Sequence, residues 1–169
     1  MRTLIVGGIE IPLRASLTLT QTYEPQQAVT RLRMADGSLV QQISWRDKLL
    51  TSIDGSGTIP AGLHLIDFTS PVVIKCVAER VVTSASNVID IPSARRTDYP
   101  PEGRALLNGK WQSTPVAMSV DQATLTIVAG ATQYQCIYWP EITCYCDPPK
   151  ETRGVRNADY GWMITGEQV

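Results

Sequence analysis

Four cysteines are the residues of this sequence best suited to chemistry. Cys136, Cys144 and Cys146 lie close together in the chain, and Cys76 lies in a run of β-branched residues. On a strand, Cys144 and Cys146 would share one face with Cα atoms roughly 6.5 Å apart. That spacing suits two ligands of one metal better than a disulfide between the two. The Cys-x-Cys pattern nevertheless departs from the usual Cys-x-x-Cys of zinc and iron–sulfur ligands.

The turn near Pro140 bears on how these thiols are used. A three-residue hairpin tip at residues 140–142 would place Cys136 on the same side as Cys146, whereas a two-residue tip would turn Cys136 to the opposite face. A four-thiolate zinc or iron–sulfur site and a disulfide are therefore both open. Because cysteine is so often a small buried hydrophobe, we expect reduced packing thiols, with no metal and no cofactor.

The residues that an enzyme needs do not form a recognisable set. His64, the only histidine, is flanked by apolar residues, and no Gly-x-Ser-x-Gly elbow supplies it with a nucleophile. The segment Asp54-Gly55-Ser56-Gly57 lacks the Lys-Ser/Thr pair of a phosphate-binding loop. We therefore assign His64 to packing or to the surface, interpret the glycines as a turn, and expect a protein that is not an enzyme.

Charge and hydropathy argue against several kinds of partner. Fifteen basic and sixteen acidic residues are scattered through the 169 residues, which argues against nucleic-acid binding by phosphate neutralisation. No apolar stretch approaches the roughly 20 residues that span a bilayer. The N-terminal apolar run is too short for a signal peptide. We expect no nucleic acid, no membrane, and synthesis in a reducing cytoplasm.

The hydrophobic pattern has a dominant period of two, which is typical of strands. Residues 16–22 alternate strictly, and Asp36-Gly37 predicts a two-residue hairpin turn between residues 31–34 and 39–43. Residues 71–78 are a β-branched run typical of a central strand. About eight to ten short strands at this spacing predict an all-β fold, a β-sandwich or a barrel-like domain with long loops.

The organisation of the chain follows from the same pattern. We expect one β domain over residues 1–169, with at most one or two short helices, for which residues 45–52 and 61–68 are the candidates. Residues 92–110 break the strand rhythm and are predicted to be a projecting loop that orders against a neighbouring subunit. Tryptophan and tyrosine on alternating strands fill a core or an interface more often than they stack sugars or bases. The candidate interface residues are Arg95, Arg96, Tyr99, Trp139 and Trp162.

Five segments carry a likeness to a known family. They are Arg31-Leu32-Arg33-Met34-Ala35-Asp36-Gly37-Ser38, Ser52-Ile53-Asp54-Gly55-Ser56-Gly57, Pro60-Ala61-Gly62-Leu63, Arg153-Gly154-Val155-Arg156 and Tyr160-Gly161-Trp162. In texture and order, over about two-thirds of the chain, they resemble small tail proteins of long-tailed bacteriophages. The nearest type is the distal tail protein of the tail tip.

The resemblance implies a structural virion subunit with a β-sandwich core, made in the host cytoplasm and located at the tail tip. Such proteins have no catalytic residues and form rings, commonly hexameric, that join the tail tube to baseplate or tip proteins. The implied partners are copies of this chain, tail-tube proteins and tail-tip hub proteins. Some related hub proteins hold iron–sulfur clusters, so a metal- or cluster-containing tail-tip protein stays open. The other alternative is a receptor- or carbohydrate-binding β module.

Overall fold

β-Structure dominates the computed structural model, which describes residues 2–154 and 159–169. One short 3-10 turn, Leu13–Ala15, accompanies the strands of this part of the chain, so the all-β prediction is confirmed. Val155 and Arg156, which belong to one of the phage-like segments, lie outside the described residues. The described part also contains no helix whose length and hydropathy would let it cross a lipid bilayer. The strands are β1 (Ile5–Val6), β2 (Ile9–Glu10), β3 (Thr20–Arg33), β4 (Leu39–Gly57), β5 (Val72–Lys75), β6 (Arg80–Ser84), β7 (Val88–Asp90), β8 (Glu102–Leu107), β9 (Lys110–Thr114), β10 (Val116–Ser119), β11 (Gln122–Leu125), β12 (Gln133–Tyr138), β13 (Glu141–Cys146), β14 (Lys150–Gly154) and β15 (Asp159–Gln168).

Two compact units make up the chain, and each is discontinuous in sequence. The first unit contains the N-terminal residues to Ile5 together with Ile74–Ile142. The second contains Val6–Val73 and Thr143–Val169. The sequence contains no linker or change of composition that would predict this division. The assignment of residues 1–169 to a single domain stays a prediction.

The first unit is a small β-sandwich. One sheet has the strand order β6-β12-β8-β9, and the other has the order β10-β11-β7. Inward side chains of both sheets form one core, because alternate residues of each strand point to the same face. The buried core residues are Ile89, Ile91, Ala105, Ala123, Leu125, Tyr134, Cys136 and Tyr138.

Residues 92–110 do not project from this unit. Strand β8 pairs with β12 along one edge and with β9 along the other, and Ala105 is fully buried in the core. The prediction of a projecting loop is therefore wrong. The prediction failed because the inward side chains of β8 are small. Its first two core-facing residues are Gly103 and Ala105, which do not stand out in a hydrophobic pattern.

The second unit contains most of an eight-stranded sheet with the order β2-β1-β5-β13-β15-β4-β3, to which β14 adds beside β15. Strand β5 is internal to this order, as its sequence predicts. Residues 45–52, a helix candidate, belong to β4, and residues 61–68 form turns rather than a helix. Thr51 and Ile53 of β4 point into the core with Ile164 of β15.

Trp162 organises the interior of this unit. It lies directly opposite Gly55 on the neighbouring strand, and its indole Nε1–H donates to the Ala15 carbonyl at 2.7 Å. A Cβ on Gly55 would lie only 2.5 Å from the Trp162 ring carbons. The glycine is therefore needed because the indole covers its backbone, rather than for a turn as the sequence suggests.

Gly55→Ala is expected to lower the free energy of unfolding by about 1–3 kcal/mol, because the added methyl group displaces a buried ring. Urea denaturation followed by tryptophan fluorescence measures the change. Gly154→Ala is the matched control, since its Cβ would be 3.7 Å from the nearest atom of the described chain. Equal stability of the two variants would contradict the proposed role of Trp162.

Candidate interaction site

The antiparallel pair of β3 and β4 continues beyond the third strand that supports its base. Strand β15 pairs with β4 from Gly57 to Leu50, but the β3–β4 ladder runs on to the pair Arg33 and Leu39. We call residues 28–45 the hairpin arm. The arm is a two-stranded ribbon, and such ribbons are only marginally stable in water without a further layer.

Two irregularities in the ladder separate the arm from its base. The register of the ladder shifts between Gln26 and Ala28, where two residues of β4, Arg46 and Asp47, lie opposite one residue of β3. It shifts a second time between Ala28 and Val29, where Ser44 is an extra residue of β4. Asp47 has a φ of 67°, in the left-handed region that aspartate tolerates better than most residues. β-Bulges bend a strand and increase its twist, so they set the direction of the arm.

The tip of the arm is a hairpin turn at the predicted place. Met34 N–H donates to the Ser38 carbonyl and Gly37 N–H donates to the Met34 carbonyl, each at 2.9 Å. Gly37 has a φ of 82°, which makes this a three-residue turn with a glycine bulge rather than the predicted two-residue turn. Hydrogen bonds from the Ser38 hydroxyl and backbone N–H to the Asp36 carboxylate lower the pKa of Asp36.

Apolar side chains are exposed on both faces of the arm. Leu32 faces Val40 across the ladder, and these side chains are 59% and 47% exposed. Val29 faces Ile43 on the opposite face of the ribbon. The large exposed apolar residues of the arm are Leu32, Met34, Leu39, Val40, Ile43 and Trp45. A concentration of this kind marks an interaction surface, whereas single exposed apolar residues do not.

The alternation around Asp36-Gly37 predicts the hairpin but not its exposure. One signal was available: the consecutive apolar residues Leu39 and Val40 occupy opposite faces of a strand, so a sheet covered on one side cannot bury both. On the partner strand β3, Arg31 and Arg33 alternate with apolar residues. Such alternation is typical of a half-buried strand, so it did not reveal that apolar residues are exposed on both faces of the arm.

The residues predicted to form the interface lie elsewhere. Arg96, Trp139 and Trp162 are buried within the chain, so their assignment to an interface is corrected to a core role. Arg95 and Tyr99 are partly exposed, and their place in an interface stays a prediction. Residue type misled the sequence analysis here, because tryptophan and arginine are enriched in interfaces but tryptophan is also common in β cores.

Arg96 is an internal brace of the first unit. Its Nη1 donates to the carbonyls of Thr3 and Cys76 at 2.7 and 3.0 Å. Its Nε and Nη2 donate to the two carboxylate oxygens of Asp98 at 3.0 and 2.7 Å. This bidentate arrangement satisfies a fully buried guanidinium. The hydrogen bonds from Arg96 lower the pKa of Asp98 below its ordinary value of 3.8.

The aromatic neighbours of this brace complete the cluster. The guanidinium of Arg96 lies 4.4 Å from the centre of the Tyr99 ring, and that of Arg2 lies 3.6 Å from the centre of the Trp139 ring. Tyr99 and Trp139 meet edge to face, with ring centres 6.4 Å apart. Arg2 also pairs with Glu102. Cation–π contacts of this kind hold the N-terminal residues against the unit.

Asp98→Asn is expected to lower the free energy of unfolding by about 1.5–3 kcal/mol at neutral pH, because an amide offers the buried guanidinium one acceptor instead of two. Since the folded pKa of Asp98 is lowered, its stabilisation is present above pH 3.8 and is lost as the pH falls through the lower folded value. Urea denaturation at several pH values should therefore show a smaller acid-dependent loss in the variant. Asp47→Asn, at an exposed ion pair with Arg46, is the control and should cost less than about 0.5 kcal/mol. An unchanged midpoint for Asp98→Asn would refute the brace.

The four cysteines are all buried thiols. Cys144 and Cys146 share the inward face of β13, as their spacing predicts, while Tyr145 between them is exposed. Cys136 lies in the core of the first unit. Strands β12 and β13 belong to different sheets, so neither hairpin tip that was considered at Pro140 is formed. Within the described residues, no group of three or more His, Cys, Asp or Glu side chains is arranged to hold a metal ion. The absence of a cofactor stays a prediction.

Burial makes these thiols poor nucleophiles. It raises the pKa of Cys136 and raises that of Cys146 to about 11. At pH 8, a thiol with a pKa near 11 is ionised to about 0.1%, against roughly a quarter for an ordinary cysteine. We expect Ellman's reagent to modify the native protein at least roughly 100-fold more slowly than the urea-unfolded protein. Tyr145→Cys adds an exposed thiol on the same strand and should react at once. Fast modification of the native chain, or bound metal in elemental analysis, would contradict this assignment.

His64 lines a surface groove of the second unit. The groove has a volume of about 550 Å³, with an apolar floor formed by Ile66, Phe68, Pro148 and Pro149. Glu151, Asp67 and His64 are among the residues that line it. The hydroxyl-bearing residue in the described lining is Thr69, whose Oγ1–H donates to the Asp67 carboxylate at 2.6 Å rather than to His64. A surface position for His64 agrees with the role that the sequence analysis assigned.

Comparisons with known proteins identify no relative. No protein-family model, no curated protein and no solved structure matches this chain. The resemblance to distal tail proteins therefore stays a prediction. What supports a function is the geometry of the chain itself, above all the hairpin arm.

Proposed function

We propose that this chain is a structural subunit that assembles with copies of itself into a ring, at the tail tip of a long-tailed bacteriophage. The hairpin arm is the observation that supports self-assembly. Its apolar residues lie on both faces of an uncovered ribbon, and burial of such residues is the main driving force of protein association. The formal net charge of −1 adds little repulsion between copies.

The open edges of the sheet support the same proposal. Strand β3 stands at one end of the strand order and is 14 residues long. All five residues of β14 are exposed. A strand edge carries N–H and C=O groups that pair readily with another chain. Two different open edges on one chain suit a head-to-tail contact, which closes into a ring when the rotation between copies allows it.

The virion setting comes from the sequence resemblance. That resemblance supplies the tail tip as the location, the hexamer as the expected ring, and tail-tube and hub proteins as the neighbours. A carbohydrate-binding module is less well supported, because it needs an exposed aromatic platform. The large exposed aromatic residues in the described part, Trp45, Trp111 and Tyr145, lie on three different strands.

Removal of the arm is expected to abolish assembly and to spare the fold. Gln26 and Lys48 are paired across the ladder, so Asn-Gly can replace residues 27–47 as a two-residue turn between them. Light scattering coupled to size-exclusion chromatography should give a ring for the unchanged chain and a monomer for this variant. Circular dichroism should show strand structure in both.

A point variant makes the same test without shortening the chain. Leu32→Glu combined with Val40→Lys replaces an apolar pair by an ion pair across the ladder, which keeps the hairpin but removes its exposed apolar surface. We expect it to weaken assembly roughly tenfold or more. Ile127→Glu, at an exposed apolar residue of the first unit, is the control. A strictly monomeric unchanged chain, in solution and in particles, would overturn the proposed function.

A further inference from the structure

We infer that the tip of the hairpin arm of one copy docks in the His64 groove of a second copy. This inference rests on the proposed function, because it names the surface that the arm meets in the ring. It concerns a groove and an arm that both belong to the second unit. The occupant that we propose is another molecule of the same chain.

The groove has the shape and composition of a site for apolar side chains. Its volume of about 550 Å³ lies within the range of roughly 300–1,000 Å³ that is usual for binding pockets. Phe68 and Ile66 are half-buried, and Pro148 and Pro149, which have no backbone N–H, complete its apolar lining. Leu65, next to His64, is 84% exposed. Large apolar groups beside an open groove indicate a surface that another molecule covers.

The apolar residues at the tip of the arm match the floor of this groove. Leu32, Met34 and Leu39 surround the turn, and each is more than half exposed. None of them lines the groove of its own copy, which is open to solvent. The arm therefore has exposed apolar side chains, and the groove has an apolar lining that no described residue of the same chain fills.

The charges of the two surfaces are complementary. The tip carries Arg31 and Arg33 against the single carboxylate of Asp36, so its net charge is positive, and the groove carries Asp67 and Glu151. Among the described residues, none of these five groups forms an ion pair with another. Hydrogen bonds from the Thr69 hydroxyl and backbone N–H at 2.6 and 2.9 Å lower the pKa of Asp67, so this carboxylate is charged at neutral pH. Opposite charges fix the register of an apolar contact.

A mixing experiment tests the contact directly. One variant lacks the arm, with residues 27–47 replaced by Asn-Gly, and keeps its groove. The other keeps the arm and carries His64→Arg with Glu151→Arg, two exposed positions where the change makes the groove cationic. We expect each variant alone to be monomeric. The two mixed together should form a one-to-one dimer and nothing larger, because only one arm and one matching groove remain.

Charge exchange and a control sharpen the result. Adding Arg31→Glu and Arg33→Glu to the chain with the cationic groove should restore assembly, because the arm is then anionic. Glu79→Arg, an exposed reversal in the first unit, should leave assembly unchanged. Assembly of the groove variant by itself, with the arm still required, would overturn the docking and leave the proposed function standing. A monomeric unchanged chain would overturn both.

Discussion

A two-stranded ribbon cannot bury its own faces, and this constraint governs the part of the molecule that we assign to assembly. At its base, β4 is paired on both edges, with β3 and with β15, and Thr51 and Ile53 on its inward face are fully buried. Beyond Lys48 toward the tip, the β3–β4 ladder continues past two bulges, no third described strand pairs with it, and Leu32 and Val40 are exposed. The chain retains apolar residues where its own second unit supplies no cover. Exposed apolar residues on a two-stranded ribbon are unfavourable unless another surface covers them, which is why we assign the arm to an interface.

The base of the arm is built to hold a fixed direction. Trp162 packs across Gly55 and donates a hydrogen bond to the Ala15 carbonyl, which ties β4, β15 and the 3-10 turn together. The bulges at Ser44 and Asp47 lie on the tip side of Leu50, where the pairing of β4 with β15 ends. An interface presented by a rigid base loses less conformational freedom on association than a flexible one does. If the chain assembles as proposed, the packing of Trp162 contributes to assembly through the rigidity of the base rather than through contact with the partner.

Sequence reasoning succeeded where local pattern decides the structure and failed where distant partners do. The all-β class and the hairpin at Gly37 follow from alternation and turn chemistry. Strand β8 was missed because its inward residues, Gly103 and Ala105, carry no hydrophobic signal. The helix candidate at residues 45–52 was wrong because the bulges at Ser44 and Asp47 break the strand period of β4 there.

The burial of Trp162 and Arg96 could not be predicted from the sequence either. Trp162 bonds to a carbonyl 147 positions away, and Arg96 to one 93 positions away. The projection of the arm was hidden for a related reason, since alternation looks the same whether or not a second layer covers the strand.

The distribution of charge favours contact between two different surfaces, the tip of one copy and the groove of another, over contact between two identical surfaces. On the proposed docking, the tips of two arms are both cationic through Arg31 and Arg33, and the edges of two grooves are both acidic through Asp67 and Glu151. Contact between two tips or between two grooves therefore brings like charges together, which is unfavourable in an interface that excludes water. The contact of a tip with a groove is the one in which charges are opposed and apolar surface is covered at once.

A contact between unlike surfaces leaves a free tip and a free groove at the ends of every open chain of copies. Such a chain stops growing only when it closes, so the same charge pattern that excludes a symmetric dimer favours a ring.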